Sequence, residues 1–295
     1  MDWLQVQIEV GRLAPEPVEA ALMQLGALAV EYRDAGDTPI LEPAPGATPL
    51  WAELVVTALL TADTDPERVC LAIAAAVAPA ALPPMRFQSL PDQDWVRSFQ
   101  ATLTPRRFGS GLWIVPPGIE APAPADAIVR LEPGLAFGSG SHETTALCLD
   151  WLDALRCQGA VLDYGCGSGV LALAALALGA TRAVAVDIDP QAREACTGNA
   201  GRNAAEHRLE VLDPTELDAA RQFDAVVANI LSGPLVALAP ELSARLQPGA
   251  PIALSGILHS QADEVRDSYT PWVEFGPPAS RGDWILLSGR SRGRI

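Results

Sequence analysis

The chain has 295 residues, 49% of them apolar and 19% charged, which suits a globular protein with material for two cores rather than one. Its 20 basic residues, all arginines, face 36 acids, and the net charge of −16 opposes tight binding of a polyanion such as nucleic acid. Five cysteines without a C-x-x-C pair argue against a zinc site or disulfide framework, and the longest apolar run, which begins at Val170 and stops before Gly179, is far short of the ~20 residues that span a bilayer.

Met1-Asp2-Trp3-Leu4-Gln5 lacks the basic flank and apolar run of a signal peptide, so with this cysteine usage a cytoplasmic location is expected. Leu4, Val6, Ile8 and Val10 alternate with Gln5, Gln7 and Glu9, which predicts a half-buried strand. Val18, Ala21, Leu22 and Leu25 then follow helical spacing up to Gly26. A short strand over 28–32, a Pro/Gly-rich loop over 38–49 and a strand over 53–60 come next. Asp65-Pro66 reads as the N-cap and first position of a helix that continues through Val69, Ala72, Ile73 and Ala76. One more strand is expected over 85–90. This β-α-β-β-α-β order predicts a small α+β ferredoxin-like domain over residues 1–91. Residues 92–109, with Trp95, Phe99, Arg106 and Arg107, read as a linker helix and hinge.

From residue 110 to 295 the rhythm changes. Strands are expected over 112–115 and 128–131, then in alternation with helices: strand 161–163, a helix from Val170, strand 183–187, a helix from Pro190, and strands 209–212 and 225–228. A single helix from Pro234 places Leu235, Leu238, Ala239, Leu242 and Leu246 on one face. Strands over 252–255, 273–275 and 284–287 complete the pattern. Such alternation predicts an α/β, Rossmann-like, doubly wound sheet of seven strands.

The buried run Ala160-Val161-Leu162-Asp163 leads into Gly165, Gly167 and Gly169, and an apolar helix follows. A strand–glycine loop–helix unit lets a ligand approach the backbone at the carboxyl end of the strand. A dinucleotide site requires G-x-G-x-x-G, but its third glycine position here holds Val170. The pattern is instead D-x-G-x-G-x-G, which points to S-adenosylmethionine, with an acid before the loop to hold its cationic amino-acid end. Asp187 ends the next strand, 22 residues after Gly165, the offset of a carboxylate that accepts from ribose hydroxyls. Capping of the helix at Pro190 falls more naturally to Asp189. Asn229 follows the strand over 225–228 and faces the cleft, where its amide can orient the acceptor or the cofactor.

The stretch 131–145, Leu-Glu-Pro-Gly-Leu-Ala-Phe-Gly-Ser-Gly-Ser-His-Glu-Thr-Thr, reads as a flap ending at a helix start. Thr144 or Thr145 is either an N-cap or a cofactor contact, and His142 either a base or a polar loop residue.

These segments together resemble the bacterial ribosomal protein L11 methyltransferases. The resemblance rests on Glu132-Pro133-Gly134-Leu135-Ala136-Phe137-Gly138, His142-Glu143-Thr144-Thr145, the loop from Asp163 to Gly169, and Asp187-Ile188-Asp189-Pro190. Asn229-Ile230-Leu231-Ser232-Gly233-Pro234, Asp92-Gln93-Asp94-Trp95 and Leu254-Ser255-Gly256-Ile257-Leu258 extend it over essentially the whole chain. It implies methylation of lysine side chains and the N-terminal amine of a large-subunit ribosomal protein, with substrate recognition by the N-terminal domain. It places cofactor contacts at Thr144, Gly165, Gly167, Asp187 and Asn229, with Asn229 also positioning the acceptor. No metal, no nucleic acid and no membrane partner is expected, and the protein is expected to act as a monomer.

The alternative is a methyltransferase of the same fold acting on another protein, RNA or a small molecule. Methylation of adenine or of a glutamine amide goes with Asn/Asp-Pro-Pro-Tyr after the fourth strand, whereas this chain has Asn229-Ile230-Leu231-Ser232. Residues 1–109 carry 14 acids against 7 arginines, which disfavours an RNA-reading appendage.

Overall fold

The computed structural model describes residues 2–36, 49–91, 104–123, 125–131 and 142–293. The chain divides into two compact units, Met1–Phe99 and Gln100–Ile295.

The first unit contains β1 (Trp3–Gly11), α1 (Glu16–Gln24), β2 (Ala29–Asp34), β3 (Leu54–Thr61), α2 (Pro66–Val77) and β4 (Met85–Leu90). The strands pair antiparallel in the order β2-β3-β1-β4, the ferredoxin-like arrangement. The period-two pattern of β1 has its predicted consequence, since Val6, Ile8 and Val10 are buried. They meet Val56, Ala58 and Leu60 of β3, Val18 and Leu22 of α1, and Val69 and Ile73 of α2 in one core. The Asp65 carboxylate caps α2 by accepting from the Glu67 amide at 2.9 Å.

The second unit begins with a three-stranded sheet of β5 (Arg106–Phe108), β6 (Leu112–Val115) and β7 (Ala127–Arg130). Strand β5 falls inside the stretch that reads as a linker helix and hinge. With only Phe108 buried among its three residues, it is too short to show an alternation. Residues 92–103, the rest of the expected linker, lie outside the described residues.

The main sheet is built from α3 (Glu143–Leu155), β8 (Ala160–Tyr164), α4 (Val170–Ala177), β9 (Arg182–Val186), α5 (Pro190–Arg202), β10 (Leu209–Leu212), β11 (Ala225–Asn229), α6 (Ser232–Ala237), α7 (Ala239–Ala244), β12 (Pro251–Leu258), α8 (Ala262–Tyr269), β13 (Val273–Phe275), β14 (Ala279–Arg281) and β15 (Trp284–Ser291). Its strands follow the path β10-β9-β8-β11-β12-β15-β13. The first five run parallel, and β15 runs antiparallel to β12 and β13. Two cores cover the faces: Val161 of β8 joins the one with Leu149 and Leu173, and Leu162 joins the one with Leu235 and Ile257. The direction of winding reverses between β8 and β11, which opens a crevice at the carboxyl ends of these strands.

Two details depart from expectation. The single helix from Pro234 is two helices, α6 and α7, which meet at Leu238. Pro240 has no amide hydrogen to bond back to Val236, and its ring crowds the preceding turn, so the helix restarts rather than continues. Strand β14, three exposed residues on β15, adds a ribbon to the seven-strand path without any apolar signal in the sequence.

Candidate active site

Three parallel strands and the first turn of α3 deliver the candidate residues to this crevice. Strand β8 ends in the loop Gly165-Cys166-Gly167-Ser168-Gly169, whose amides at Gly165 and Cys166 both donate to the Val186 carbonyl, at 2.7 and 3.0 Å. Gly165 adopts φ +79°, and a Cβ there would overlap the Ile230 side chain, so the residue has to be glycine twice over. Through this contact the loop also meets the residue that follows Asn229.

Asp163 is fully buried at the root of the loop. One carboxylate oxygen, Oδ2, accepts from the Ala172 amide in the first turn of α4 at 3.0 Å. The other, Oδ1, is buried with no hydrogen-bond partner among the described residues. Burial pushes the carboxyl up to about 7; the Ala172 amide opposes the rise and the neighbouring charge of Asp187 adds to it. A buried, half-satisfied acid beside an open glycine loop fits a ligand that brings a cationic group.

Asp187 follows β9 directly. Its Oδ2 accepts from the Gly167 amide at 2.9 Å, and its Oδ1 accepts from the Asp189 amide at 3.0 Å. The acid and the glycine loop are therefore joined without any ligand. Capping of α5 falls to Asp189, whose carboxylate accepts from the Gln191 amide at 2.9 Å. Arg193 donates to the Asp187 carbonyl at 2.6 Å and to the Asp213 carboxylate at 3.1 Å, so the acidic turn is braced from α5.

Asn229 closes the third side. Its side-chain amide donates to the Thr145 hydroxyl at 3.2 Å. Neither threonine is the N-cap of α3. That position belongs to His142, whose Nδ1 accepts from the Thr144 amide at 3.3 Å and lies 2.8 Å from the Thr144 hydroxyl. Thr144 and Thr145 are buried in the first helical turn. The His142 ring packs edge-on to Trp284 with centroids 5.1 Å apart, and the Ser255 hydroxyl of β12 donates to the Thr144 carbonyl at 3.3 Å. Residues 132–141, the flap expected before this helix, lie outside the described residues.

The geometry thus groups Gly167 with Asp187, and Thr144 and Thr145 with Asn229, with Gly165 and Ile230 as the seam between them. Comparison with known proteins decides the family. A family model described as ribosomal protein L11 methyltransferase (PrmA) matches residues 2–292. The chain belongs to the ribosomal protein L11 methyltransferase family. It is 50% identical over 294 residues to the ribosomal protein L11 methyltransferase of Pseudomonas paraeruginosa, covering 99% of both chains. The one from Ectopseudomonas mendocina is 47% identical over 294 residues, covering 99% of this chain and 100% of that protein. A solved ribosomal protein L11 methylase from Lactobacillus delbrueckii subsp. bulgaricus superposes with a TM-score of 0.59 at 31% identity, covering 65% of this chain and 100% of that one. The protein is accordingly a methyltransferase.

Several residues around the crevice are not singled out by the sequence. Ile188, 79% exposed, directly follows Asp187, and Leu231, 50% exposed, lies two residues after Asn229, so both leave apolar surface beside these strand ends. Asn199 and Asn203 of the α5 region bond to the glycine loop and to β7. The first pair could have been found by asking which apolar residues follow the polar strand ends. The second pair shows only as polar residues at core spacing.

Proposed function

We propose that this protein transfers methyl groups from S-adenosylmethionine to lysine side-chain and N-terminal amines of ribosomal protein L11, with the crevice at β8, β9 and β11 as the catalytic centre. The observation that carries the cofactor reading is the pairing of Asp187 with the Gly167 amide beside the half-satisfied carboxylate of Asp163. The substrate reading is supported by the relatives of this chain, which are named for methylation of that protein.

When bound, S-adenosylmethionine supplies an electrophilic methyl group on a sulfonium. Gly165 and Gly167 would offer backbone without side chains to it, and Asp187 would accept from its ribose hydroxyls. Asp163 would carry charge opposite its ammonium end, and Ile188 would give an apolar face to the base. Thr144 would line the same pocket from the α3 side. Asn229, held by Thr145, would turn the carbonyl end of its amide toward an incoming amine and steady it for in-line attack. A lysine amine has an unperturbed pKa of ~10.4, so it has to lose a proton before it attacks. Burial of the ammonium in the crevice would lower that value. Recognition of the substrate falls to the domain of residues 1–91, with 92–109 as the connection to the catalytic domain of 110–295, and the working form is a monomer in the cytoplasm.

The test is incubation of the protein with radiolabelled S-adenosylmethionine and a mixture of ribosomal proteins and ribosomal RNA. The label is expected on one protein, L11. Label on RNA, or on no macromolecule, contradicts the reading.

A further inference from the structure

Helix α5 places polar side chains where a core helix buries apolar ones. Ala192, Cys196 and Asn199 are buried along one face, and Asn203 follows one turn after Asn199. Asn199 is only 3% exposed, and its Nδ2 donates to the Ser168 carbonyl inside the glycine loop at 3.0 Å. Asn203 uses its whole amide. Its Nδ2 donates to the Asn199 carbonyl at 2.8 Å and to the Arg130 carbonyl at 2.7 Å, while its Oδ1 accepts from the Arg130 amide at 2.7 Å. Cys196 packs against the same loop, since a Cβ on Gly169 would overlap its sulfur. The face of α5 therefore meets the glycine loop closely and is tied on its other flank to the end of β7.

We propose that Asn199 is a positioning residue for cofactor binding: through the Ser168 carbonyl it holds the loop so that the Gly167 amide meets Asp187, and Asn203 holds the Asn199 turn in place against β7. This rests on the reading of the loop as the cofactor site. The residue type follows from the partner. A carbonyl in a buried setting calls for a donor, which an asparagine supplies and an apolar side chain of equal size does not. An aspartate would set a negative charge against the same carbonyl oxygen. The spacing follows as well, because residues four apart on a helix stack on one face, which lets the second amide reach the carbonyl of the first.

The experiment titrates S-adenosylhomocysteine calorimetrically into the full-length protein and its Asn199→Ala, Asn199→Asp, Asn203→Ala and Asp187→Ala variants, with cofactor KM, kcat and thermal melts in parallel. Asn199→Ala is expected to weaken binding about tenfold, and Asn199→Asp to weaken it further. The KM for the cofactor rises in step, while kcat at saturating cofactor stays within about threefold of the parent. Asn203→Ala is expected to weaken binding by a smaller factor, about threefold, and carries the test if neither Asn199 variant folds. A lower melting temperature with unchanged Kd and KM in the variants that fold marks a purely structural role and overturns the proposal. If Asp187→Ala also binds normally, the cofactor reading of the loop is what fails; if Asp187→Ala binds weakly and the asparagine variants do not, only the positioning role is lost.

Discussion

Burial opposes ionisation of Asp163, and this has a consequence in solution. Its ordinary value near ~3.9 applies to the unfolded chain, whereas in the folded protein burial holds the carboxyl at about 7. Between these values the folded protein binds more protons than the unfolded chain, so this contribution to stability is complete below pH ~4 and is lost as pH rises through about 7. Asp163→Asn cannot ionise and escapes that loss. In melting curves without ligand, the variant is expected to gain on the parent between pH 5 and pH 7 and to level off above that; parallel curves would remove the argument. Asp187 gives a second residue-scale prediction. Its carboxylate organises the Gly167 amide and is the proposed partner of ribose hydroxyls, so Asp187→Ala should weaken S-adenosylhomocysteine binding by about ten- to a hundredfold in titration calorimetry, the range for losing hydrogen bonds to a charged group. Both acids were visible in the sequence through the glycine spacing and the 22-residue offset. The buried, half-partnered state of Asp163 was not, because it depends on how the first turn of α4 lies over the end of β8.

Elements were readable where one pattern ruled them. The alternation in β1, the apolar run before Gly165 and the Asp-Pro helix starts at 65–66 and 189–190 each reflect a local rule, and each element forms as read. Strands β5 and β14 leave no mark in the sequence because three-residue strands take their place from a neighbour rather than from their own pattern. The split at Leu238 escaped because the apolar face continues across it and only Pro240 marks the break. Helix α3 shows how an element can secure its surroundings. Buried Asp153 accepts from the Ser110 amide at 2.6 Å and hydroxyl at 2.8 Å, and pairs with Arg156 at 3.2 Å, while Asp150 takes the Gly109 amide at 2.7 Å. Burial alone would raise the Asp153 carboxyl, but the Ser110 donors and Arg156 outweigh it and hold it below the usual carboxylate range. Asp153→Ala strands these donors, and it should cost about 3 kcal/mol, read as a lower urea midpoint. An unchanged midpoint would show that the turn between β5 and β6 holds without α3.

For the molecule as a whole, the net charge of −16 acts at a distance on whatever approaches it. A basic protein substrate is drawn in, and salt screens that attraction over roughly 8 Å at physiological ionic strength. The KM for the protein substrate is therefore expected to climb with added salt while the KM for the cofactor changes little; equal responses would separate the acidity from substrate capture. The doubly wound sheet and the crevice at its strand ends were legible because chain order and parallel pairing leave few alternatives. The asparagine bracing of the loop was not, because polar residues at core spacing become informative only once their partners are known. The identity of the methyl acceptor is the central claim, and mass spectrometry tests it most directly. Purified ribosomal protein L11 incubated with this protein and S-adenosylmethionine should gain mass in whole methyl increments, and peptide mapping should place them on lysine side chains and the N-terminal amine; an L11 of unchanged mass, with methyl groups found on RNA or on non-amine atoms, would contradict the account.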